Sequence, residues 1–199
     1  MKKNIPTEPI NLVNMNVWFG MDARGYLRFG ECESRARRRA RFNILAEGLK
    51  NLRPDVIGIQ EANILPGYAK KLSDAIGYDA VWKTTNSGIK SLGWGIPTNF
   101  AAGNVILAPQ GCGLQFLGSE RISGRGLQLK NFSFHITELR DVIAAMATIR
   151  DQPIIIFNTQ THFSVIWNRP LMGSPSNWLT AKNQITPTRN FKVSPNLKR

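Results

Sequence analysis

Gln60-Glu61 closes the apolar stretch in RPDVIGIQEAN (53–63). The run Val56–Ile59 before it reads as a buried strand, and a carboxylate at the tip of such a strand is costly to bury unless something positive meets it. Two other strand ends carry polar groups that a plain core would not hold. They are Asn14 and Asn16 in INLVNMNVWF (10–19), and Asn158, Thr159, Thr161 and His162 in PIIIFNTQTHF (153–163). Amide and carboxylate oxygens from neighbouring strands suit magnesium, which takes oxygen ligands, keeps several waters and uses one or two carboxylates with substrate phosphate oxygens. Each residue also has an ordinary reading. Glu61 could face solvent, Asn16 could cap a turn, and His162 could be a satisfied core histidine.

Other chemistry-bearing residues read more simply. Arg35, Arg37, Arg38, Arg39 and Arg41 form a dense run at a helix start, where five cations oppose the helix dipole. A solvated face is the first reading and a phosphate-backbone contact the second. Trp18, Trp82 and Trp94 read as packing residues, and His135 as a surface or strand residue. Gly20, Gly25 and Gly30 form neither G-x-G-x-x-G nor a Walker pattern.

The elements that must position these residues alternate between strand and helix. The first strand, 10–19, alternates polar and apolar residues with one slip, which predicts a bulge near Val13-Asn14. Ser34 is placed to cap a helix whose apolar stripe is Phe42, Leu45, Leu49 and Leu52. Pro54 stops that helix and a strand over 55–60 follows at once. Pro66 opens a second helix, 66–76, which Gly77 ends. YDAVWK (78–83) is a strand, and 84–102, rich in Gly, Thr, Ser and Asn, is a long loop. GNVILAP (103–109) and GLQFLG (113–118) read as strands joined by a tight turn, and 141–149 with 153–163 as a hairpin around Arg150-Asp151-Gln152.

The 199 residues suffice for one sizeable domain, and 42% hydrophobic with 20% charged residues is ordinary globular composition. The net charge of +13 favours polyanionic partners. Residues 152–199 hold six Lys/Arg and no acid, leaving 20 basic and 13 acidic residues in 1–151. Cys32 and Cys112 make neither a disulfide framework nor a zinc site. MKKNIPTEPI lacks an apolar stretch after its lysines and no segment reaches membrane-spanning length, so the expected setting is cytoplasmic.

Four motifs in order, NMNVWFG, PDVIGIQEAN, GNVIL and FNTQTHF, resemble the endonuclease/exonuclease/phosphatase (DNase I-like) superfamily. The match spans roughly 10–164, and NVWFG followed by an Arg-rich helix is most similar to the tyrosyl-DNA phosphodiesterase-like branch. The resemblance implies an α/β fold, a four-layer sandwich of two mixed β-sheets with outer helices. It implies magnesium (or manganese) and hydrolysis of a phosphoester, nucleic acid among the possible substrates, by an in-line water. It places Glu61 and Asn16 at the metal and His162 beside the scissile phosphate. Asn104 falls in its G-N-x-I-L strand and Arg140 on an arginine before the penultimate strand. The superfamily's later G-D-x-N and S-D-H motifs have no counterpart, since no acid follows Asp151 and no histidine follows His162. The expectation is therefore a partial domain over 1–164, lacking the last strands and impaired as an enzyme, with an irregular basic tail over 165–199. The alternative expectation is an inactive remnant that binds polyanions through basic surface.

Overall fold

The computed structural model describes residues 9–160 apart from 19, 89, 92–93, 96–97 and 131–132, with backbone alone at 90–91, 94–95, 126–130 and 133–137. The first half of the chain gives β1 (Leu12–Asn16), α1 (Arg35–Leu52), β2 (Val56–Ala62), α2 (Gly67–Ile76) and β3 (Tyr78–Ser87). Short β4 (Lys90–Ser91) and β5 (Trp94–Gly95) pair with each other, and β6 (Ala101–Pro109) follows. The second half gives β7 (Gln115–Ser123), the hairpin β8 (Gly126–Lys130) and β9 (Ser133–Thr137), then β10 (Arg140–Ile149) and β11 (Gln152–Thr159).

The first sheet runs β1-β2-β6-β3. It is mixed: β1 lies parallel to β2, and β6 is antiparallel to both β2 and β3. The second sheet, β11-β10-β7, is antiparallel throughout its described strands. Val56, Ile106 and Ala108 of the first sheet close on Ile143, Ala145, Ala147, Ile149 and Ile156 of the second. On the other face of the first sheet, Phe42, Ala46 and Leu49 of α1 and Ala69 and Leu72 of α2 cover Ile57, Ile59, Val105 and Leu107. The result is a two-sheet α/β sandwich with outer helices, as expected. Among the described residues the helices lie on one side.

Local chemistry explains the element ends. Ser34, in extended backbone, caps α1 by accepting the Arg37 N–H at 3.3 Å. Gly77, at φ 75°, closes α2 by donating its N–H to Ser73 O. The turn between β10 and β11 holds Arg150 and Asp151 at φ 50° and 61°, the two-residue geometry that matches strand twist. From that turn Arg150 donates to Pro9 O and to Asp55 Oδ2, each at 2.9 Å, and Asn11 N–H also reaches Asp55 at 2.8 Å. This clasp joins the two sheets at one end.

Four expectations are corrected. β1 pairs with β2 without interruption, Leu12 to Asn16 against Val56 to Gln60, so no bulge stands at Val13-Asn14; Val13, Met15 and Val17 keep one alternation toward the helix-side core, and Ile10 and Leu12 are exposed. Leu52 is exposed because it lies about 80° round the helix from Phe42, with Ala46 taking the buried place beside Leu49. The segment 84–102 is not all loop, since β3 continues to Ser87 along β6. The strands on either side of 110–114 do not pair with each other: β6 belongs to the first sheet and β7 to the second. The basic tail over 165–199 lies outside the described residues.

Candidate functional site

Glu61 stands in a β-bulge. Ile59 pairs with Val105 and Ala62 with Gly103, so Gln60 and Glu61 together oppose Asn104 alone. Glu61 takes a positive φ of 57°, a conformation that an L side chain adopts at a cost of about 1 kcal/mol. A bulge re-aims its side chains, which is why bulges gather at sites. Glu61 is half-buried and lines a shallow open cleft shared with Thr85, Asn104, Arg140, Asp141 and Gln160.

Each wall of the cleft is held in place. Asn86 and Leu139 exchange two hydrogen bonds at 3.0 Å, which pins the start of β10 to β3 and sets Arg140 inside. Arg140 is buried, paired with Glu138 at 2.5 Å, and reaches the backbone oxygen of Gln160 at 3.5 Å. The Gln160 side-chain amide in turn donates to Glu61 Oε1. Asn104, also buried, donates to Asp141 O at 2.8 Å, and the Asp141 carboxylate pairs with Arg121 at 3.3 Å. Among the described residues the buried Thr85 hydroxyl has no hydrogen-bond partner.

Beneath the bulge, three amides bridge the sheets. Gln60 Nε2 donates to Asn14 Oδ1 at 2.6 Å and to Asn158 Oδ1 at 2.5 Å. Asn158 Nδ2 donates to Ile59 O at 2.9 Å and Val105 O at 2.8 Å. The carbonyls of Ile59 and Val105, the pair that borders the bulge, thus each accept from the opposite sheet. Gly58 leaves room for this, since a Cβ there would lie 3.1 Å from Asn14 Oδ1.

Glu61, Thr85, Asn104, Asp141 and Gln160 each bring a side-chain oxygen to the cleft, beside the Arg140 guanidinium, and such oxygens suit a hard divalent ion completed by water and phosphate better than a thiolate or imidazole cage would. Among the described residues no group of three or more His, Cys, Asp or Glu converges. Asn16 sits in register with Gln60, and its side-chain oxygen accepts the Trp18 N–H at 2.8 Å. The structure therefore brings Glu61, Asn104 and Arg140 to one cleft and Asn16 to its flank. His162 and Thr161 lie outside the described residues, as do the side chains of His135 and Trp94.

Beyond Asn16 a charged loop borders the site. Asp22 and Glu33, both buried, form a backbone bridge and clamp four arginines. Asp22 pairs with Arg24 and Arg38, each at 2.5 Å, and Glu33 with Arg37 at 3.4 Å and Arg41 at 3.1 Å. Burial alone would raise the Asp22 pKa, but hydrogen bonds from Arg24 and Arg38 outweigh it and hold it at about 2. Trp18 is 52% exposed with Arg41 5.5 Å from its ring centroid, so it is not the packing residue expected, whereas Trp82 packs on the helix-side core. Thr85, Gln160 and Asp141 were not singled out by sequence reading. Only the polar tip of β11 offered a signal for one of them.

No family model matches the chain and no curated protein sequence does. Several solved structures are similar to it, among them the following three. A humanized D. rerio TDP2 carrying 14 mutations is 18% identical, with 75% of this chain and 46% of that one covered and a TM-score of 0.45. The human Nocturnin catalytic domain with bound sulfate is 15% identical over 80% and 53%, TM-score 0.48. An endonuclease/exonuclease/phosphatase family protein from Leptotrichia buccalis is 14% identical over 77% and 54%, TM-score 0.46. The chain spans about half the length of these structures.

Proposed function

We propose that the chain is a phosphoester hydrolase whose site is built around Glu61 and a divalent ion, Mg²⁺ or Mn²⁺. One observation carries this reading: a carboxylate lifted out of the β-ladder by a bulge, at positive φ, into a cleft walled by buried polar groups. Strained backbone and unpaired buried polar atoms gather where a ligand repays them. Glu61 would hold the ion, with Asn16 as the second oxygen-bearing residue at its flank. When bound, the ion polarises a phosphoryl oxygen and steadies the leaving oxygen. Arg140 braces Gln160, which orients the Glu61 carboxylate by its hydrogen bond. Asn104 keeps β6 and β10 in step across the cleft. His162, by the resemblance of its motif, would donate to the phosphate as charge builds.

The test is cleavage of a small activated phosphodiester with and without Mg²⁺, comparing the natural chain with Glu61→Gln. Metal-dependent turnover that falls at least about 100-fold in the variant supports the proposal; equal rates overturn it. Calorimetric titration with Mn²⁺ supplies a second readout, with affinity lost in Glu61→Gln.

A second reading is favoured by the absence of any acid after Asp151 in a chain of net charge +13. In it the fold binds polyanions without turnover. Oligonucleotide binding by a chain that cleaves no phosphodiester under any divalent ion would select it.

A further inference from the structure

β6 is flanked by two irregularities at one level. On its β2 side, Gln60 and Glu61 bulge between Ile59, paired with Val105, and Ala62, paired with Gly103. On its β3 side, Thr84 pairs with Gly103 and Asn86 with Ala102, so Thr85 is the extra residue of a second bulge. Gly103 borders both. Its missing side chain lets β3 close in, since a Cβ there would collide with Lys83 O. Glu61 and Thr85 are thus lifted out of their ladders on opposite sides of one strand, and they line the same cleft.

The other polar groups of that cleft are matched. Asp141 pairs with Arg121 and Arg140 with Glu138, Asn104 donates to Asp141 O, and Asn86 bonds both backbone groups of Leu139. Glu61 accepts from the neutral Gln160 amide, and among the described residues no cation pairs with it. The buried Thr85 hydroxyl has no partner among them at all. A hydroxyl left so is costly, and valine, of nearly the same shape and at home in a strand, would avoid the cost. A bound group that completes the cleft would account for it.

We propose that Thr85 is a positioning residue of this site, its hydroxyl holding a water of the divalent ion that Glu61 binds. The proposal deepens the hydrolase reading and rests on it. A bridging water suits the spacing better than direct contact. β6 lies between β2 and β3, which puts their backbones about 10 Å apart. Two oxygens touching one Mg²⁺, each at about 2.1 Å, stand no more than about 4.2 Å from each other. Magnesium keeps several waters, and a hydroxyl has lone pairs to accept a hydrogen bond from one. Thr85 would then steady the ion from the β3 side of Glu61, opposite Asn16 on β1.

The experiment titrates Mn²⁺ into the full chain by calorimetry and records thermal melting in EDTA by circular dichroism. Thr85→Val removes the hydroxyl and keeps the shape. The expected result is Mn²⁺ affinity at least about tenfold weaker, the loss typical of a group that supports a metal's ligands from behind. Its melting temperature in EDTA stays level or rises by about 2 °C, because no partner is stranded and an unpaired buried group is gone. Thr85→Ser, which keeps the hydroxyl, retains most of the affinity. Thr84→Val, the same change one residue earlier and outside the cleft, leaves it unchanged. Thr85→Ala also lacks the hydroxyl and carries the test if Thr85→Val does not fold. Equal affinity in the natural and Thr85→Val chains, with affinity lost in Glu61→Gln, overturns this proposal and leaves the hydrolase reading standing. A lower melting temperature for Thr85→Val in EDTA with unchanged affinity makes the hydroxyl purely structural and also overturns it. Mn²⁺ affinity untouched by Glu61→Gln overturns the ion site on which both rest.

Discussion

The two sheets differ in how much of them is covered. In β6 every residue from Ala102 to Ala108 is buried, because the helices press on one face and the second sheet on the other. In β11 burial alternates: Ile154 and Ile156 turn inward, while Ile155 at 61% and Phe157 at 58% face out. The sequences differ accordingly. β6 reads AAGNVILAP, a nearly unbroken small or apolar run, and Gly103 is there because its backbone passes so close to Lys83 O that a Cβ has no room. A doubly covered strand tolerates no extra atom, whereas β11 leaves Ile155 and Phe157 exposed. The bulge that lifts Glu61 lies against the doubly covered strand, where the surroundings can hold a strained residue in place.

That contrast can be broken or sharpened by substitution. Gly103→Val should cost more than about 4 kcal/mol, since a main-chain carbonyl stands where its Cβ must go. Urea unfolding, or failure to recover soluble protein, checks it. Ile106→Ala, between the sheets, should cost about 3 kcal/mol by the same measurement. Asn158→Leu should cost about 2 kcal/mol by stranding the Gln60 amide and the Ile59 and Val105 carbonyls. A loss as small as that of a surface change would show that the amides do not fasten the sheets. At the loop beside β1 the dependence is on charge. Asp22, with its pKa lowered to about 2, contributes stability that is fully present above the ordinary carboxylate range near 3.9 and is lost as pH falls through about 2. Unfolding midpoints measured from pH 5 downward should therefore fall more steeply for the natural chain than for Asp22→Asn. Ile155→Thr, on the open face, should change stability by less than about 0.5 kcal/mol. A cost near that of Ile106→Ala would mean that the outer face is covered in solution.

Much of this architecture was readable beforehand where local chemistry decides it. Ser34, Pro54, Gly77 and the Arg150-Asp151 turn all act within a few residues of themselves, and each ends or joins an element where expected. What depends on distant partners was not readable. The bulge at Gln60-Glu61 exists only relative to Asn104, more than 40 residues away, so nothing between Pro54 and Asn63 marks it. The crossing from β6 to β7 looks like any tight turn, because the choice of sheet is made by packing against β10. Glu61, Asn104 and Arg140 reached the candidate site through the order of motifs. Gln160 and Thr85 escaped notice because a cleft is an outcome of sheet stacking, to which no single stretch testifies.

The backbone at position 61 carries a trade-off. A glycine would relax there at no steric cost, so Glu61→Gly should yield a chain at least as stable as the natural one while deleting its one carboxylate at the bulge. On the proposed reading, conformational ease and metal binding compete at a single α-carbon.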